Sequence, residues 1–234
     1  MGICSKNDGV GNAGGGMNIQ VVPAILEDTR EEVEKKVGLV KGLAERVQID
    51  IIDGKFAENK TVEVEELVGV DGDIELEIHL MVEEPIGLVD QCAEIGVGMV
   101  IGHIELMKNQ ENFVRVVRKK EMRVGLGLDL KTAVDFLEEG VWEEVDQILL
   151  MAVSAGFSGQ KFDRKVLEKI KILRGDYGFK GEIAVDGGVN EETIEDCVRV
   201  GANRLSVTSA LWQSKEIKEG LERLTRLALK ASRS

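Results

Sequence analysis

The sequence predicts an α/β fold of the (β/α)8 TIM-barrel class. Eight short apolar runs recur along the chain, most of them continuous in hydrophobic residues, as strands buried on both faces require. Segments with apolar residues three and four apart lie between them. The alternation fills about 215 residues, a length that accommodates eight strand–helix units. A doubly wound open sheet is the alternative, and the lack of a GxGxxG after the first strand counts against it.

The runs fall at 19–26, 47–52, 76–82, 99–104, 124–128, 148–153, 183–185 and 205–207. Val33, Val37 and Val40 give the first connection a helical face. The second, 56–73, is the least helical. Val114 and Val117, flanked by Lys and Arg, mark the fourth. Val166, Ile170 and Leu173 mark the sixth, and Ile194, Cys197 and Val198 the seventh. Asn190 before Glu191-Glu192-Thr193 reads as a helix N-cap with acids in the first turn. No Pro/Gly/Ser linker breaks the alternation, so 19–234 is expected to be one domain. Residues 1–18, mostly glycine over 12–16, read as a disordered leader. Gly2 would suit N-myristoylation, but Lys6 stands where Ser or Thr is wanted.

The formal charge of −13 argues against nucleic-acid and anionic-membrane partners. It leaves room for a small anionic substrate, which backbone N–H groups can bind without net positive charge. No apolar run reaches the ~18 residues of a membrane span. Three widely spaced cysteines, Cys4, Cys92 and Cys197, suggest neither a disulfide framework nor a zinc site, and a reducing cytoplasm is the expected compartment. Self-association is a further expectation, since barrel enzymes often form homo-oligomers.

Active sites of such barrels lie at the C-terminal strand ends. Those ends carry Asp50 and Asp53, His79 and Met81, His103 and Glu105, Asp129, Met151, Asp186, and Thr208 with Ser209. Period-2 alternation puts Gln48, Asp50 and Ile52 on one face of the second strand and Asp53 on the other. Asp50 and Asp186 form a candidate acid/base pair. Two carboxylates on opposite sides of a bound sugar would invert a carbon beside a carbonyl, with a divalent metal stabilising the enediolate. The alternative is two ordinary strand-end acids or helix caps. His79 on an apolar strand is either a ligand or a hydrogen-bonded core residue. Met81 and Met151 line a pocket or fill the core. The loop 156–160, with Gly156, Ser158 and Gly159, is a candidate lid. Gly187-Gly188 and Thr208-Ser209 precede the last two helical regions, where a barrel often binds phosphate.

These segments resemble the ribulose-phosphate 3-epimerase family. Pro23-Ala24-Ile25-Leu26 is similar to its Pro-Ser-Ile-Leu start. Residues 48–56, Gln-Ile-Asp-Ile-Ile-Asp-Gly-Lys-Phe, are similar to its His-Val-Asp-Val-Met-Asp-Gly-His-Phe segment, and Ile78-His79-Leu80-Met81 to Val-His-Leu-Met. Residues 153–162 resemble its lid, and 185–189, Val-Asp-Gly-Gly-Val, its seventh-strand signature. The resemblance implies a barrel of the ribulose-phosphate-binding type that interconverts ribulose 5-phosphate and xylulose 5-phosphate. It implies a divalent metal, zinc or iron, with manganese or cobalt as further ions, held by two aspartates and two histidines. By position these are Asp50, Asp186 and His79, while Gln48 stands for the second histidine and would be a weak fourth ligand. Ala24 replaces an active-site serine, Ile52 a methionine, Ser154-Ala155 the lid Asn-Pro, and Thr208 a glycine of the phosphate cradle. Because these changes converge on the site, two other readings stand beside the epimerase. One is a metal-free member that binds a sugar phosphate without epimerising it. The other is an epimerase or isomerase for a related sugar phosphate.

Overall fold

The structure, a computed structural model, describes residues 18–70 and 73–233. Apart from Asn18, the expected leader lies outside the described residues, as does Gly2. Eight parallel strands close in sequential order into a barrel. They are β1 Gln20–Ile25, β2 Arg46–Ile52, β3 Glu75–Met81, β4 Met99–His103, β5 Arg123–Leu128, β6 Gln147–Met151, β7 Glu182–Asp186 and β8 Arg204–Val207. The seam is closed by β1 against β8, with Gln20 opposite Arg204 and Pro23 opposite Val207. Every residue of β2 is buried, which explains why its sequence carries no simple polar alternation.

The helices are α1 Arg30–Val40, α2 Val89–Glu94, α3 Gln110–Lys119, α4 Lys165–Gly175, α5 Ile194–Arg199, α6 Ser209–Trp212 and α7 Ile217–Ala231. Local chemistry sets several of their ends. Asn109 Oδ1 accepts from the Asn112 N–H at 2.6 Å to start α3, and Arg118 and Lys119 favour its C-terminus. The apolar residues predicted on the first, fourth, sixth and seventh connections are buried faces of α1, α3, α4 and α5.

Among the described residues, two connections carry no α-helix. The one after β2 has a single 3-10 turn, Val64–Leu67, in line with its weak pattern. The one after β5 has two, Val134–Phe136 and Trp142–Glu144. Buried Val134, Leu137, Val141 and Val145 in that connection are spaced as on a helix, but Gly140 at φ 82° interrupts the path. Asn190 also differs from the expectation. Its Oδ1 accepts from Glu192 N at 2.8 Å and so caps a turn, while α5 begins only at Ile194, behind Thr193. Side chain and turn satisfy the free N–H groups without a full extra helical turn.

Alternation along the strands gives the barrel two apolar regions. Val47, Ile49 and Ile51 face outward and pack with the helices, including Val33 and Val37 of α1. A separate cluster of Met99, Ile101, Leu149, Met151, Val153 and Ala184 fills the interior. At the N-terminal strand ends lies a polar floor. There Glu182 pairs with Arg123 at 2.8 Å, Arg204 at 2.5 Å and Arg46 at 3.3 Å. Gln147 donates to Glu77 at 3.0 Å, and Arg46 lies 3.5 Å from the other Glu77 oxygen. A second buried polar group sits at the opposite strand ends.

Candidate active site

Gln48 and Asp50 stand on the inward face of β2, and parallel register places His79 of β3 opposite Asp50. Asp186 ends β7, and Ser206 lies within β8. All five are buried. Gln48 Nε2 donates to Asp50 Oδ1 at 2.7 Å and to Asp186 Oδ2 at 2.5 Å, and lies 3.3 Å from His79 Nδ1. Its Oε1 accepts from the Ser206 hydroxyl at 2.7 Å. The chain's two histidines both belong here. His79 Nδ1 is 2.9 Å from Asp50 Oδ1 and 3.6 Å from Asp186 Oδ2.

A line of hydrogen bonds fixes the imidazoles. His103 Nδ1 contacts Glu105 Oε2 at 2.9 Å, and His103 Nε2 contacts His79 Nε2 at 2.9 Å. Glu105 is held in turn by the Asp129 N–H at 2.7 Å. A carboxylate only accepts, so His103 donates from Nδ1 and receives from His79 Nε2–H. That leaves His79 Nδ1 to face the carboxylate pair. Gly127 makes the arrangement fit, because a Cβ there would lie 2.9 Å from His103 Cδ2. Burial pulls the His103 pKa down more than Glu105 raises it, which keeps that ring neutral. Burial opposes the Glu105 charge, but the His103 hydrogen bond and the other donors outweigh it and bring its carboxyl to about 2. Burial likewise opposes charge on His79, but Asp50 and Asp186 outweigh it and raise its pKa.

The Asp186 carboxyl is pushed up to about 7, first by burial and then by the charge of Asp50. The pair therefore holds a proton near neutrality, as an acid/base couple needs. Asp50, His79 and Asp186 also offer oxygen, nitrogen and oxygen atoms within 4.8 Å of one another, a buried group that could hold a metal ion. These donors suit a divalent cation. Gln48 departs from the expected ligand set, since it turns its amide nitrogen into the group and its oxygen toward Ser206.

Above the group lies a cleft lined by Asp50, Met81, Met151, Asp186, Val153, Ser154, the loop 156–160, Gly187, Gly188, Thr208 and Ser209. The structure thus brings together the predicted lid residues Gly156, Ser158 and Gly159 with both phosphate-cradle candidates. Ala24 and His79 do not line this cleft. Ala24 is fully buried, and its carbonyl accepts from Trp212 Nε1 at 2.7 Å. His79 sits beneath the carboxylates. The loop 154–160 is tied down by Asn59, which donates to the Gly156 carbonyl at 2.8 Å, and by Asp129, which accepts from Ala155 N at 3.2 Å. Gly187 and Gly188 adopt φ of 97° and 68°. A Cβ on Gly187 would collide with the Val153 side chain, and one on Gly188 would meet Phe162 N at 2.8 Å, so the pair lets the segment after β6 pack closely against it.

Asp53 belongs to the scaffold. Its carboxylate accepts from the N–H groups of Lys55, Phe56 and Glu83, which outweigh the effect of burial and lower its pKa. Sequence reasoning missed Ser206. Its signal was a polar residue between Leu205 and Val207, two positions before Thr208 and so directed to the same side of the strand.

Comparison with known proteins places this geometry. A family model described as the ribulose-phosphate 3 epimerase family matches residues 20–212. Ribulose-phosphate 3-epimerase of Bacillus subtilis is 33% identical over 213 residues, covering 88% of this chain and 98% of that protein. The enzyme of that name from Aquifex aeolicus is 29% identical over 197 residues, covering 82% and 88%. Among solved structures, 3-hexulose-6-phosphate synthase from Salmonella typhimurium superposes with a TM-score of 0.71 at 14% identity, covering 91% of this chain and all of that one. KGPDC from Streptococcus mutans gives 0.71 at 10% identity and covers 91% and 98%. At these identities the two structures speak to the fold alone.

Proposed function

The chain belongs to the ribulose-phosphate 3-epimerase family, and we propose that it interconverts ribulose 5-phosphate and xylulose 5-phosphate by proton transfer between Asp50 and Asp186. It is an isomerase-class enzyme like its relatives. One observation carries the mechanism: two buried carboxylates from β2 and β7 converge below one cleft, and one of them holds a proton near neutrality. Asp50 removes the proton from the carbon beside the carbonyl, and protonated Asp186 returns one to the opposite face. In the reverse direction the roles exchange. Buried Gln48 and His79 hold the two acids in place between turnovers. Met81 and Met151 give the cleft apolar walls, and the seated lid excludes water from the enediolate. Gly159, Gly187, Gly188, Thr208 and Ser209 bind the phosphate largely through backbone N–H groups, which suits an acidic chain.

A divalent cation, zinc or iron by family resemblance and manganese or cobalt as further ions, would be held by Asp50, His79 and Asp186 and would polarise the carbonyl. No helix among the described residues is long and apolar enough to cross a membrane, and we place the enzyme in the cytoplasm, as a self-associating barrel acting on a small sugar phosphate. The test is NMR observation of exchange at C3 of ribulose 5-phosphate in D2O. Exchange together with xylulose 5-phosphate formation is the expected result. Binding of the sugar phosphate without exchange under any added metal would overturn the reading.

A further inference from the structure

The Gln48 amide nitrogen touches all three atoms that could bind a metal, at 2.7 Å from Asp50, 2.5 Å from Asp186 and 3.3 Å from His79. The site's chemistry dictates this orientation. Carboxylate oxygens need donors, and only the NH2 end of the amide supplies them. The Ser206 hydroxyl then donates to Oε1 and locks the amide from the other side. Gln48 itself is fully buried, so water does not compete for these bonds.

We propose that the Gln48 amide nitrogen takes the place of the cation, so that the Asp50–His79–Asp186 group is organised without metal and a metal ion binds there only in competition with Gln48. Ser206 is the positioning residue that holds the amide in this sense. The inference rests on the site assigned above, but its readout is metal affinity and not turnover. A hydrogen-bonding amide needs no supply of metal and keeps the two acids a fixed distance apart. A side chain acting as fourth ligand would instead present its oxygen.

The experiment is calorimetric titration of the full chain with zinc, for the wild type, Gln48→Leu and Gln48→His. Leucine is one bond shorter than glutamine and offers neither donor nor acceptor. If the amide competes, Gln48→Leu binds zinc at least as tightly as the wild type, and Gln48→His binds at least 100-fold more tightly. A tenfold or larger loss of affinity in Gln48→Leu would make the amide oxygen a ligand and overturn the proposal. Equal affinity of wild type and Gln48→His, or no binding by Gln48→His, would also overturn it. Should Gln48→Leu fail to fold, the Gln48 side-chain amide protons of the wild type decide by NMR. They are expected to exchange slowly in metal-free protein and to be indifferent to EDTA, and fast exchange of these protons, or a shift on adding EDTA, would overturn the assignment. Loss of C3 exchange alone would count against the epimerase reading and leave the zinc result standing.

Discussion

The two ends of the barrel bury polar groups in opposite ways. At the floor, Glu182 meets Arg46, Arg123 and Arg204, and each acid has a basic partner. At the mouth, Asp50 and Asp186 share an amide and an imidazole, with no lysine or arginine in the group. The floor settles its charges among permanent ions, whereas the mouth leaves a proton to be placed. Burial opposes the Glu182 charge, yet the three arginines outweigh it and lower its pKa, while Asp186 is driven up. Glu77 is the exception at the floor. It is raised by burial despite Gln147 and Arg46. Burial alone therefore does not make a reactive carboxylate. The absence of a permanent counter-charge does, together with access to a cleft.

The largest expected break in this contrast is Asp186→Asn. Loss of an acid/base group should lower C3 exchange by about 10²–10⁴-fold. Circular dichroism should stay native, because the amide can still hydrogen-bond to its neighbours. At the floor the outcome reverses. Glu182→Ala removes the carboxylate that three guanidinium groups share and should cost about 3 kcal/mol in urea unfolding, with exchange per folded molecule unchanged. A large loss of turnover there would show that the two ends are coupled.

Smaller changes sharpen the same comparison. Glu105→Gln frees His103 from its carboxylate and loosens the His79 tautomer. A loss of roughly 10–100-fold in exchange rate is expected, with substrate binding measured by calorimetry retained. The pH response should also separate the two ends. Asp186 has a native pKa of about 7 against an ordinary value of 3.8, so the folded state binds the extra proton between them. Its contribution to stability is complete below about pH 4 and is lost as pH rises through about 7. Glu182 is shifted the other way. Its contribution is present above its unfolded value and is lost as pH falls through its lowered native value. Urea midpoints measured from about pH 5 to 8 should show the Asp186 slope in the wild type and lose it in Asp186→Asn. An unchanged slope would assign it to another group.

Much of this was legible in the sequence because a parallel barrel writes its strands as apolar runs and its acids at their ends. All eight strands lie where those runs predicted, within two residues at any boundary. The connection after β5 was harder to read, since a helical apolar spacing there is overridden by one left-handed glycine. Asp50, His79 and Asp186 could be singled out one by one, because strand position and residue type are local. The orientation of Gln48 could not, as it depends on Ser206, 158 residues away. Ala24, which stands where the resembled family has an active-site serine, is fully buried, and its carbonyl accepts from Trp212 Nε1 at 2.7 Å, a contact no local pattern announces.

The seam between β1 and β8 has a consequence for how the protein is made. Gln20 and Arg204 are partners, yet about 184 positions separate them along the chain. At roughly 5–20 residues per second, the first strand waits on the order of 10–40 seconds on the ribosome for its neighbour. Asp186 and Ser206 emerge late in the same interval, so Gln48 has Asp50 beside it from the start but gains its Asp186 and Ser206 partners only as the ring shuts. A nascent or C-terminally truncated chain carries Asp50 and His79 but not the carboxylate of Asp186 that lies beside them. The buried polar group at the mouth is thus completed with closure of the barrel, in the same step that removes its last open edge.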